Sequence, residues 1–354
     1  MIKYLGSKRR LVPVLADIAR RVGATSALDL FTGTTRVAQA FKQEGLAVTA
    51  VDTARYSEMF ARCYIETDSR LVDHAALAVA VGALNELPGR PGYFTETFCV
   101  ASRFVQPANG ERIDAVRDAI EDRYRGTALY PILLTSLLEA ADRVDSTTGL
   151  QMAYVKNWAP RSFRPLDLRV PELLAGPGTA VRGDAMVLAG ELGPFDLAYL
   201  DPPYNQHRYF TNYHVWETLV AWDAPAHYGV ACKRIDARDP TTKSVFNSKP
   251  AMPGALATLL RAVECRVLVL SYNDEAWVTQ AELEAMCSHH DEVVALSFDS
   301  QRYVGAQIGI FDPSGNKVGK VSHVRNRELL VIAGPGDDVR RLAAAAPLAD
   351  ALVR

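Results

Sequence analysis

The chain has 354 residues, 49% hydrophobic and 23% charged, with a formal net charge of −2. That length allows one large domain or two modest ones around a buried core, and the composition excludes a disordered or fibrous chain. Near-neutral charge excludes whole-chain attraction to nucleic acid or to an anionic membrane, so either partner would have to be met by local charge. Cys63, Cys99, Cys232, Cys265 and Cys287 are dispersed, which argues against a disulfide framework or zinc site and for reduced thiols. With no leader pattern and no apolar run of membrane-spanning length, a soluble protein of the cytoplasm is expected.

The chain opens on Lys3-Tyr4-Leu5-Gly6-Ser7-Lys8, before an apolar-periodic helix predicted over residues 11–21. Ser7 is its candidate cap, and the amides there with Lys8 suit a carboxylate; a solvated basic terminus is the alternative. Residues 27–31 read as a strand, followed by the turn Thr32-Gly33-Thr34-Thr35, a helix over 36–44 and a second strand ending in Asp52. An acid about 20 residues beyond such a turn is placed for ribose hydroxyls. A single glycine excludes the dinucleotide fingerprint, and the absent Gly-Lys-Ser/Thr ending excludes a P-loop. Asp29, Phe31 and Gly33 instead suit S-adenosylmethionine, a ligand without phosphate; a ligand-free βαβ unit is the alternative.

From residue 56 to 181 the strand rhythm lapses, with helices predicted over 55–65, 71–84, 111–123 and 129–142. This is too long for one crossover and reads as an insertion. Arg103, Arg112, Arg117, Arg123, Arg125, Arg143, Lys156, Arg161 and Arg164 alternate there with Tyr93, Phe94, Phe104, Tyr154, Trp158 and Phe163. Such a mixture offers phosphate contacts and stacking to a nucleic acid. The alternative is that the aromatics are core and the arginines pair with Glu111, Asp114, Asp118, Glu121 and Asp122. Residues 181–185 then resume the sheet, with Asp184 at a strand end to accept from an adenine amino group.

The apolar run 195–200 ends in Asp201-Pro202-Pro203-Tyr204. Two prolines stop the strand and free the local carbonyls as acceptors. A carboxylate, rigid carbonyls and an aromatic ring at the carboxyl end of a strand suit methylation of an exocyclic amine, with Tyr204 stacking on a flipped base. An ordinary strand-to-loop turn is the alternative. In the next loop His207 and Arg208 are candidates for a phosphate, Tyr209 and Tyr213 for the pocket wall, before a helix over 215–221. Residues 223–253 read as a basic loop, against DNA or solvated, carrying Lys233, Arg234, Arg238, Lys243 and Lys249. A strand over 266–272, a helix over 275–286 and a strand over 293–298 follow. A hairpin of 302–311 with 317–332 carries Arg302, Lys317, Lys320, His323, Arg325 and Arg327, the best local case for a nucleic-acid face. Residues 337–354 are expected to form a closing helix.

Four separated segments, Lys3-Tyr4-Leu5-Gly6-Ser7-Lys8, Asp29-Leu30-Phe31-Thr32-Gly33, Gly183-Asp184 and Asp201-Pro202-Pro203-Tyr204, together resemble the Dam-like, alpha-group N6-adenine DNA methyltransferases. The likeness is greatest to modification enzymes of restriction systems, the type IIS kind included. Asn109-Gly110-Glu111-Arg112-Ile113-Asp114, Glu139-Ala140-Ala141-Asp142-Arg143-Val144 and Arg302-Tyr303-Val304-Gly305-Ala306-Gln307-Ile308-Gly309 also look like that subgroup. The resemblance implies an α/β fold: a Rossmann-like, S-adenosylmethionine-dependent methyltransferase sheet with an inserted, mostly helical target-recognition subdomain. The catalytic domain would be residues 1–55 and 179–335, the insertion 56–178, the final helix 336–354.

The resemblance also implies cofactor contacts at Tyr4, Lys8, Asp29, Phe31, Gly33, Asp52 and Asp184; Gly6, Thr34, Ala185 and Asp201 complete the candidate set. Asp201 and the Pro202 carbonyl would accept from the target amine, beside Pro203 and Tyr204. His207, Arg208, Arg302, Lys317, Lys320 and Arg325 are the DNA-binding candidates. The family often has a second glycine where this chain has Thr35. Expected partners are double-stranded DNA and a cognate restriction endonuclease, for a monomer or weak dimer with no membrane attachment. The expected reaction is direct in-line methyl transfer without a covalent enzyme intermediate or a metal. The alternatives are cytosine N4, adenine in RNA, a protein glutamine, a non-catalytic DNA-binding scaffold and a nicotinamide oxidoreductase.

Overall fold

The computed structural model describes residues 2–6, 8–155, 157–206, 208–273, 276–301, 310–311, 317–319 and 325–343. Its central sheet has seven strands: β1 Ser26–Asp29, β2 Ala47–Asp52, β3 Gly178–Arg182, β4 Phe195–Leu200, β5 Cys265–Asn273, β6 Glu292–Gln301 and β7 Arg325–Gly334. The spatial order is β3-β2-β1-β4-β5-β7-β6. All neighbours are parallel except that β7 runs antiparallel to both β5 and β6. This is a Rossmann-like α/β architecture whose strand order reverses between β1 and β4, the place where such sheets open a ligand crevice.

The central strands are apolar throughout because both faces of the sheet are covered. In β4, Leu197 and Tyr199 point into one core and Ala198 and Leu200 into the other, as the two-residue period demands. The first core joins the sheet to α1 (Val12–Arg21), α2 (Arg36–Gln43) and the helices of the insertion, among them α3 (Pro107–Tyr124) and α4 (Leu129–Arg143). Leu133, Leu134, Leu137 and Leu138 of α4 share that core with Phe41 and Tyr199. The second core lies under Met252–Ala262 and Gln280–Met286.

Several boundaries differ from expectation. The first helix begins at Val12, with Leu11 rather than Ser7 at the cap position and Pro13 in its first turn; Ser7 lies outside the described residues. The helix predicted over 111–123 starts four residues earlier because Pro107 is suited to a first turn. The helix predicted from 275 begins at Gln280, where Thr279 and Glu282 form a capping box. Of the expected hairpin of 302–311 with 317–332, the described residues show Ile310–Phe311 paired antiparallel with Lys317–Gly319, while Arg325–Gly334 pairs instead with Glu292–Gln301. Arg302, Lys320 and His323 lie outside the described residues, as does His207. The described part of the closing helix is Gly336–Ala343. Among the described residues no helix is long and apolar enough to cross a membrane.

Candidate active site

The crevice lies at the carboxyl ends of β1, β2 and β4. Gly33 has φ +51, and a Cβ there would fall 2.9 Å from the Tyr4 ring, so only glycine lets the opening segment lie on the turn. Thr35, where the resembling family often has glycine, is buried in the left-handed conformation at φ 62. That conformation costs a residue with a Cβ about 1–2 kcal/mol; its hydroxyl donates to the Thr34 carbonyl at 2.7 Å. Asp52 ties the turn to β2, accepting from the Gly33 amide at 2.9 Å and the Ala54 amide at 3.0 Å.

The opening segment is threaded across this edge. Lys3 pairs with Asp142 and Asp145 of the insertion at 3.2 and 3.1 Å. Tyr4 stacks on Tyr213 at 4.7 Å, and Tyr213 stacks on Trp216 at 4.7 Å. The Leu5 amide donates to the Tyr213 hydroxyl at 2.6 Å. Tyr4, Gly6 and Lys8 are thereby brought against Asp29, Phe31, Gly33, Thr34 and Asp201 in one niche.

Beside the niche a cleft of about 370 Å³ is lined by Tyr4, Gly6, Phe31, Asp52, Asp184, Ala185, Asp201, Pro203, Tyr209 and Phe210. Asp184 caps the short helix Ala185–Leu188, accepting from Met186, and still faces the cleft. Asp29 is buried, with Oδ2 held by the Thr32 hydroxyl and the Ala38 amide. Its Oδ1 has no hydrogen-bond partner among the described residues, and burial raises its pKa to about 7.

Asp201 ends β4. Burial raises its pKa to about 6, with Lys8 opposing and Glu328 adding to the rise. The Lys8 ammonium lies 3.2 Å from Asp201 Oδ1 and 3.1 Å from Glu328 Oε2, so the carboxylates it meets are the protein's own. Burial disfavours its charge, but the two acids hold its pKa above the lysine range. Pro202 is buried, and the Tyr204 ring packs against Tyr272 at 5.4 Å while keeping part of its surface open. Arg208 sits at the cap position of the short helix Tyr209–Asn212.

Sequence reasoning missed several groups here. Glu217 lines the cleft from the helix His214–Ala221, 4% exposed, with its pKa raised by burial to about 7 and with Arg55 beside it at 3.4 Å. Thr241, Thr242, Lys243, Ser244, Phe246 and Asn247 form another wall. Phe246 meets Phe31 edge-on at 5.4 Å, and Asn247 donates to the Asn205 carbonyl at 2.7 Å. The basic loop is thus anchored to the cleft at residues 241–247, while Arg238, Lys243 and Lys249 remain exposed to solvent. Its Arg234 is buried between Asp223 and Asp236 at 2.7 and 2.8 Å, which bars it from a DNA backbone. No motif marks this wall; only the density of turn residues hints at it.

Several insertion arginines also turn inward. Arg117 is 1% exposed and donates to the carbonyls of Leu219 and Val220 and to Glu121. Arg112 donates to the Asn85 carbonyl, and Arg161 pairs with Asp145. Phe94 and Phe104 are core. For these residues the nucleic-acid expectation gives way to packing, because a buried guanidinium needs internal acceptors. Arg103 stacks on Trp158 at 4.7 Å.

The family model for D12 class N6 adenine-specific DNA methyltransferases matches residues 4–286, which contain every residue named above as lining the niche and the cleft; Lys3 and Glu328 lie outside it. The chain belongs to this family. The type II methyltransferase M.NlaIII of Neisseria lactamica is 31% identical over 298 residues, 80% of this chain and 86% of that one. Modification methylase StsI of Streptococcus sanguinis is 28% identical over 80% of this chain. M.FokI of Planomicrobium okeanokoites is 25% identical over 82%. The chain spans about half the length of these last two, 45% and 47%.

Proposed function

We propose that this D12 class methyltransferase moves a methyl group from S-adenosylmethionine to N6 of an adenine flipped out of duplex DNA, as the modification partner of a restriction endonuclease. The observation that carries the reading is the Asp201 carboxyl at the edge of the cleft, with Pro202, Pro203 and Tyr204 lining the same small hollow beside it. The restriction partner is inferred from the relatives' names as type II and modification methylases.

The residues fit the cofactor. Asp29 Oδ1 is a buried acceptor without the donor that such an atom ordinarily finds, and an ammonium group would supply one. Asp52 and Asp184 would take ribose and adenine donors, with Phe31 against the base. Bound there, S-adenosylmethionine supplies an electrophilic sulfonium methyl.

The protein's part is alignment and polarisation. The amine of adenine is a poor nucleophile because its lone pair is delocalised into the ring. Asp201 would accept one N–H and the Pro202 carbonyl the other, localising the lone pair, while Tyr204 stacks on the extruded base. Residues 56–178, with Arg208 and the strands bearing Lys317 and Arg325, are assigned to DNA recognition.

Long-read methylation mapping of plasmid DNA from cells expressing the protein, beside an Asp201→Ala control, tests this. N6-methyladenine at one short motif, absent from the control, is the expected result. N4-methylcytosine, or unmodified DNA from folded, cofactor-binding protein, would overturn it.

A further inference from the structure

Glu328 lies beyond the residues matched by the family model. It stands on β7 in register with Asn273 of β5, and β5 separates β7 from β4. Glu328 therefore reaches the catalytic edge from two strands away, through the Lys8 ammonium that it shares with Asp201. Asn273 lies 3.4 Å from its other oxygen. The lysine side chain is 7% exposed, whereas Asp201 and Glu328 keep 20% and 18%. The cation is sealed beneath two acids that remain accessible.

One cation between two carboxylates leaves a net negative charge at the niche. Were Lys8 to have Asp201 alone, the ammonium would close on it, and an ion pair in a poorly solvated site would consume acceptor capacity. We propose that Glu328 is a positioning residue for methyl transfer: by drawing off part of the Lys8 ammonium, it leaves Asp201 able to accept from the adenine amine. This rests on the reading of Asp201 given above.

The other groups facing Asp201 are Tyr199 of β4, Tyr204 and Tyr209 of the following loop and helix, and Asp29 of β1. Burial raises the pKa of all three phenols, so they stay neutral near pH 7. The carboxylates that raise the pKa of Asp29 are Asp201 and Asp52. Loss of the negative charge at 328 would therefore favour ionised Asp201.

The test compares wild-type, Glu328→Gln and Glu328→Asp proteins in single-turnover methylation, in pH profiles of kcat/KM and in calorimetric binding of S-adenosylmethionine. For Glu328→Gln the single-turnover rate should fall about 10- to 100-fold. Its cofactor affinity should stay within about twofold, and the acidic limb should move to lower pH. Glu328→Asp keeps the charge and should keep the wild-type limb. A Gln variant with wild-type rate and limb overturns the proposal. So does equal loss of rate, cofactor binding and thermal stability in both variants, since that marks a merely structural residue. A wild-type protein that methylates no adenine would instead defeat the functional reading itself.

Discussion

Asp114 in the helical insertion accepts hydrogen bonds from the amides of Gly92, Phe94 and Thr95 and from the Thr95 hydroxyl, whereas Asp201 at the end of β4 meets the ammonium of Lys8. Burial raises the pKa of both. Four donors lock Asp114 into the packing of its loop; Asp201 keeps acceptor capacity facing a cleft. The cations repeat the contrast, since Arg117 is consumed by two carbonyls and Glu121 while Lys8 sits between acids that remain reachable. A buried charge with a full set of partners is scaffold, and one left partly unsatisfied beside a cavity is available for chemistry.

The sharpest way to break this comparison is Asp201→Ala. Methyl transfer should drop about 10³-fold or more, the scale on which electrostatic groups at a reacting centre act. Calorimetry should find S-adenosylmethionine binding changed only a few-fold; near wild-type transfer would place Asp201 with Asp114 as scaffold. Arg117→Ala should do the reverse, costing about 2–5 kcal/mol of stability by leaving the Leu219 and Val220 carbonyls without their donor, while Glu121 keeps Arg125 and the Tyr130 hydroxyl. Thermal and denaturant unfolding would register this, while the specific activity of the folded fraction should hold.

Gly33→Ala would set a Cβ against Tyr4 at a φ that alanine avoids. A strain of about 1–3 kcal/mol should lower thermal stability, and displacement of Tyr4 from the turn should weaken cofactor binding about fivefold or more, again read by calorimetry. The pH profile offers a finer test. Asp201 must be ionised to accept an N–H, so kcat/KM should fall as pH drops through about 6, roughly tenfold per unit below it. A limb at the ordinary carboxylate pKa would mean that Asp201 is solvated like a surface acid. The smallest effect is expected for Asn247→Ala, which removes the bond to the Asn205 carbonyl. A loss of about 1 kcal/mol should weaken cofactor binding about fivefold without touching the methyl-transfer step.

Much of the crevice was legible because its parts obey local rules. A strand, a turn needing positive φ at Gly33, and a helix announce themselves within a dozen residues, and two prolines after β4 mark where the strand must end. The wall of residues 241–247 and the acids Glu217 and Glu328 were not legible. Each belongs to an element with no motif of its own and reaches the cleft only after the chain has folded back. The arginines of the insertion misled for a related reason: Arg117 has the composition signal of a phosphate contact but finds its acceptors on residues 219 and 220, about 100 positions away.

By itself, then, the order of residues determined which strand ends carry Asp29, Asp52, Asp184 and Asp201, and that Gly33 opens the turn between the first strand and its helix. Backbone sterics and two-residue periodicity act over short distances, and the sequence states them directly. Only the tertiary structure decided which charges are spent and which are spared: Asp114 and Arg117 satisfied inside the insertion, Asp29 Oδ1 left open, Lys8 divided between Asp201 and Glu328. The strength of a charge depends on burial and on every partner within a few ångströms, and those partners come from segments that the sequence keeps far apart.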